Sequence, residues 1–126
     1  MLSQGDMRSA ASVKQERIRT LNDQFRAGLG TGFGIAGMVA TTAGIAGLTD
    51  DQKAAILMKV REFDDFTPDN DPYGEHDFGS FDVEGVGKVF WKIDYYADNR
   101  MESGAEDPSD PTQSFRSLMV MFSHEY

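Results

Sequence analysis

The chain has 126 residues, with 12 Lys or Arg against 21 Asp or Glu, a formal net charge of −9. That length suits one domain with its own core, burying roughly two-thirds of the surface its unfolded chain exposes. The absence of cysteine excludes disulfides, thiolate nucleophiles and Cys-based zinc sites, and the acidic balance argues against direct binding to nucleic acid or to anionic membranes.

A single domain is expected over residues 1–126, with 1–11 as a flexible N-terminus. The opening "MLSQGDMRSAASVKQERIR" lacks the unbroken apolar core of a secretory signal. Together with the missing disulfides, this points to the cytoplasm. A first helix is predicted from Ser12 as N-cap, with Gln15 completing a capping box. Ile18, Leu21 and Phe25 then share one face, with Lys14, Arg17 and Arg26 on the water side and Gly28 as the stop.

Residues 27–49 carry no charge and are long enough to span a bilayer. Seven of those 23 residues are glycine, and each costs a helix about 1 kcal/mol relative to alanine. The reading is therefore a glycine-rich turn and then a strand over Ile35 to Ile45, with no membrane span. Gly32, Gly34 and Gly37 match G-x-G-x-x-G, but between a helix and a strand, the reverse of the order a dinucleotide site needs.

A second helix is predicted after Thr49, with Gln52 as its capping-box partner and Ile56, Val60 and Phe63 as its buried stripe. Pro68 ends any continuation. The stretch from Phe78 to Asp98 reads as a hairpin turning at Gly85 and Gly87. In it Val89, Trp91, Ile93 and Tyr95 alternate with Phe90, Lys92, Asp94 and Tyr96. The last strand, "SFRSLMVMFSHEY", is apolar on both faces and is expected centrally, with cover on each side. The expected fold class is α+β: a mainly antiparallel sheet of about four strands with two helices packed on one face, in the order α-β-α-β-β-β.

Charge is unevenly spread. Residues 1–61 hold eight basic and five acidic side chains, a net of +3, whereas residues 62–110 hold three and fifteen, a net of −12. Between Glu62 and Gly87 there is no Lys or Arg. Within this span lies "DNDPYGEHDFG", residues 69–79. Asp69, Asp71 and Gly74 match positions 1, 3 and 6 of a calcium loop, but Tyr73 and Ser80 stand where ligands are required, so this is no EF-hand.

Three readings of the loop remain. It can be structural, since "TPDNDP" is rich in residues that form Asx-turns, and Glu75 or Asp77 can cap or pair with the basic first helix. It can hold one divalent cation through Asp69, Asp71, Glu75, His76 and Asp77, with a carboxylate acting as general base on metal-bound water in a metal-dependent hydrolase. It can also face a partner. Asp64, Asp65, Asp69, Asp71, Glu75 and Asp77 are then the contact carboxylates, with Tyr96 as an aromatic anchor and Trp91 as a second aromatic better suited to the core. The partner fitting that set is a basic protein surface, and the chain on this reading is no enzyme and needs no cofactor.

The run "FDDFTPDNDPYGEHDFGSF", followed by "VFWKIDYY", resembles the DUF3768 family of small acidic bacterial proteins. "IRTLNDQFR" and "DPSDP" fit the same family, so the resemblance covers roughly residues 15–126. It implies no assigned activity and no catalytic residues. It does imply a setting near mobile-element genes, where an acidic domain can inhibit a host-defence or other nucleic-acid-binding protein as a DNA mimic.

Overall fold

The computed structural model describes residues 9–126, so most of the expected flexible N-terminus lies outside the described residues. The first helix, α1, is Ala10–Ala27. Its cap is Ser9, whose hydroxyl accepts from the Ser12 amide (3.1 Å), instead of Ser12. Ala10 and Ala11 are good helix formers and carry the helix start upstream. Ile18 and Phe25 are buried as the spacing predicts, but Arg26, placed on the water side from sequence, is buried too.

The first strand, β1, is shorter than expected: Gly37–Thr41. The chain then turns into a short helix, α2, Ala43–Ala46. The cause lies far along the chain. The Glu125 carboxylate accepts from the Thr42 hydroxyl (2.6 Å) and the Gly44 amide (3.2 Å), satisfying the start of α2 from a distant residue. Helix α3, Asp50–Glu62, opens with the predicted capping box of Thr49 and Gln52.

The hairpin comprises β2, Phe78–Val83, and β3, Gly87–Tyr96. Its turn is closed by Val86 N–H to Val83 O (3.0 Å), with Gly85 at φ +76° as its third residue, a conformation that favours glycine. Strand β4, Phe115–Phe122, lies inside the sheet, whose order is β1-β4-β3-β2. The hairpin and the β3–β4 pair are antiparallel, but β1 pairs with β4 in parallel. The expected mainly antiparallel sheet is thus corrected to a mixed one. Parallel neighbours need a long crossover, and here everything from α2 to the 97–114 loop lies between them.

Pairing register puts Val39, Leu118, Ile93, Trp91, Val120 and Val89 on one sheet face. They join Phe25, Ile56 and Val60 in one apolar cluster. A Cβ at Gly37 would strike the Phe25 ring, and one at Gly79 would strike Trp91 and Phe63, so α1 and the end of α3 press on this same face. No helix among the described residues is long and apolar enough to cross a membrane.

Candidate functional site

The acidic loop folds back onto α1 and is fixed there. Within the loop, Thr67 and Asn70 bond each other's backbone amides: Asn70 Oδ1 accepts from Thr67 N–H (2.8 Å), and Thr67 Oγ1 from Asn70 N–H (3.3 Å). Asp71 then turns inward, its carboxylate accepting from the amides of Glu75 (3.1 Å) and His76 (3.2 Å). These bonds hold Gly74 and His76 at positive φ, +66° and +56°. For a non-glycine residue this is an uncommon backbone state, and here two amide donors aimed at one carboxylate offset it.

Three residues of α1 receive the loop. Arg19 donates to Gly74 O (3.2 Å) and Asn22 to Glu75 O (2.9 Å). His76 Nδ1 lies 2.8 Å from Asp23 Oδ1. A carboxylate can only accept, so Nδ1 carries the proton. The other ring nitrogen is 3.7 Å from Asp71 Oδ2, and the ring stacks on Phe66 with centroids 3.7 Å apart. The sequence reading joined Glu75 and Asp77 to this helix through their carboxylates; the links run instead through loop carbonyls and His76.

Beneath the loop sits a buried polar network. Arg116 is fully buried, donating to Asn22 Oδ1 (2.7 Å), Ser114 Oγ (3.1 Å) and Pro108 O (2.7 Å), with its guanidinium over the Tyr95 ring. Asn22 also donates to the Tyr95 hydroxyl (2.7 Å), which lies 3.4 Å from Glu75 Oε1. Burial, and then Asp77, pushes the Glu75 carboxyl above its ordinary range, while burial, and then Asp71, does the same to Asp77. The Tyr95 phenol is raised mainly by burial, and burial lowers Arg116. A second buried cation, Arg26, donates to Val60 O and Phe63 O (2.8 Å each) at the end of α3 and lies over Trp91 at 4.7 Å. A cation suits the carbonyl end of a helix, so Arg26 ties α1 to α3.

The sequence-predicted carboxylates separate into two groups. Asp64, Asp65 and Asp69 are exposed, and no salt bridge among the described residues engages them. Glu75 and Asp77 are half-buried, and Asp71 is buried and occupied with the loop's own amides. Asp71 therefore drops out of the exposed set. Among the described residues no group of three or more His, Asp or Glu side chains is placed to hold a metal ion. Trp91 is core, whereas Tyr96 is half-buried on the sheet face away from the helices.

Asn22, Asp23, Arg26 and Arg116 were not singled out from the sequence as parts of a site. Arg116 had a signal: it occupies the inward register of β4 with Leu118 and Val120, where a charge must find internal partners.

Comparison with known sequences gives the family. The profile described as "Protein of unknown function (DUF3768)" matches residues 41–125. The chain belongs to the DUF3768 family. The match spans the whole acidic loop, the hairpin and β4, so Asp71, His76, Tyr95 and Arg116 all lie within the DUF3768 region. It begins at Thr41, leaving α1 and its "IRTLNDQFR" segment outside. No curated protein and no solved structure matches the chain.

Proposed function

We propose that this DUF3768 protein is a non-enzymatic binding protein that presents acidic side chains to a basic protein surface. The observation that supports this is the division of the carboxylates. Asp64, Asp65 and Asp69 project into water, unpaired by any described salt bridge, from a segment whose bends are fixed by Thr67, Asn70 and Asp71. A rigid display of unpaired carboxylates binds with little ordering penalty and steers a basic partner electrostatically. A groove that holds nucleic-acid phosphates has the matching chemistry. The partner class is thus a nucleic-acid-binding protein, inhibited by occupation of that groove, and a host-defence factor is the member of that class that the setting implied by the family resemblance favours.

The test is capture from a native bacterial lysate with wild type and with a variant carrying Asp64→Asn, Asp65→Asn and Asp69→Asn. A basic protein retained at low salt, released at high salt and lost in the variant is expected. Retention that ignores both salt and the three substitutions would sink the reading.

A further inference from the structure

The sheet has two faces, and the helices use one. Register places Met38, Phe78, Phe90, Met119 and Met121 together on the other. Tyr96, expected from sequence as a contact residue, is on this face as well. Both long helices lie on the opposite side, and apart from Met121 these side chains are half-buried. Tyr126 packs edge-on against Phe78 (6.1 Å) and Phe90 (5.7 Å), yet is itself 75% exposed.

A sheet with one face in water ordinarily alternates apolar and polar residues, and here the water-side positions still include five large apolar side chains beside Ser80, Ser117 and the charged residues. Four strands about 4.8 Å apart, with roughly six residues each rising about 3.3 Å, make a face on the order of 400 Å² in projection.

Charge selects what covers it. The charged strand residues of this face are Asp82, Lys88, Lys92 and Asp94, paired as Lys88–Asp82 (3.9 Å) and Lys92–Asp94 (2.9 Å). The strand charges of this face therefore balance, on a chain of net charge −9. A basic partner is drawn to the acidic segment and gains no charge advantage here. A second copy, equally acidic, is repelled everywhere except at a neutral face. A two-fold axis lying between the stacked copies, parallel to the sheet and across β3, also lets Lys92 of each protomer meet Asp94 of the other, the self-complementarity an isologous contact needs.

From this we infer that the helix-free sheet face is a homodimer interface, stacked face to face, with Tyr126, Phe90 and the methionines at its centre and Lys92 and Asp94 exchanging partners across it. Aromatic and methionine side chains are the types enriched at such centres.

The experiment is sedimentation equilibrium on wild type, Lys92→Glu, Asp94→Lys and an equimolar mixture of the two variants. Both side chains are partly exposed (38% and 42%), so folding is expected to survive, and far-UV circular dichroism verifies it. Wild type should dimerise, and each single variant should do so at least about tenfold more weakly, because like charges then face each other. The mixture should recover the dimer, since the glutamate introduced in one variant then meets the lysine introduced in the other. The variant lacking the Asp64, Asp65 and Asp69 carboxylates should dimerise as wild type, which keeps this result separate from the acidic-surface reading. A monomeric wild type, with or without another protein bound over Phe90, overturns the assignment, as does a mixture that stays monomeric.

Discussion

Asn22 illustrates how much one side chain can organise. Its oxygen accepts from Arg116, and its nitrogen serves both Glu75 O and the Tyr95 hydroxyl. Asn22→Ala leaves these buried groups without their partner. A loss of about 3 kcal/mol is expected, seen as a Tm lower by on the order of 10 °C. Asn22→Asp, which keeps the acceptor for Arg116, should lose less in the same melt. Glu75 and Asp77 give a pH dependence of opposite sign to the usual carboxylate. Their folded pKa values lie above the unfolded ones, so between the two the folded state keeps protons that the unfolded chain has already lost. Stability then falls with rising pH until the folded pKa values are passed. Glu75→Gln removes one of these groups while keeping an acceptor for Tyr95. Its urea midpoint should therefore decline less than that of wild type from mildly acidic to neutral pH. An unchanged slope would show that Glu75 ionises in the fold as it does unfolded.

At the scale of elements, the local rules act most clearly in α3. Thr49 and Gln52 satisfy each other's backbone amides, and Thr49→Ala should cost about 1 kcal/mol in chemical denaturation. What sequence patterns made legible follows the range of the forces involved. The capping box, the Gly85 turn and the alternation along β3 are settled within a few residues, and all three formed as expected. The break between β1 and α2 was hidden because its cause, Glu125, is more than eighty residues away. Arg26 looked like a surface cation for a similar reason: its acceptors, Val60 O and Phe63 O, belong to another helix and its cap. In the candidate site, the acidity of the segment was plain, but the inward turn of Asp71 depends on backbone amides that composition does not reveal.

For the whole molecule, net charge decides the response to salt. At −9, the acidic side chains repel one another in the compact state. Added salt shortens the reach of that repulsion. The urea midpoint at neutral pH should therefore rise with sodium chloride, while capture of a basic partner weakens. Opposite salt responses of folding and binding follow from one charge distribution. A midpoint that falls with salt would mean that attractive ion pairs outweigh the repulsion.

The position of β4 also governs the order in which the sheet can be assembled. Gly37 pairs with Arg116 and Phe122 with Val89, so the strand that joins β1 to the hairpin is the last of this sheet's four strands to be translated. Until residues 115–122 leave the ribosome, β1 has no strand beside it and the hairpin lacks its inner neighbour. Closure of the sheet on the ribosome must then wait for these residues, since the contacts that close it span large sequence separations and are slow to form. A nascent chain stalled before Phe115 should be digested by protease at both β1 and the hairpin, and one released beyond Phe122 should resist at both together.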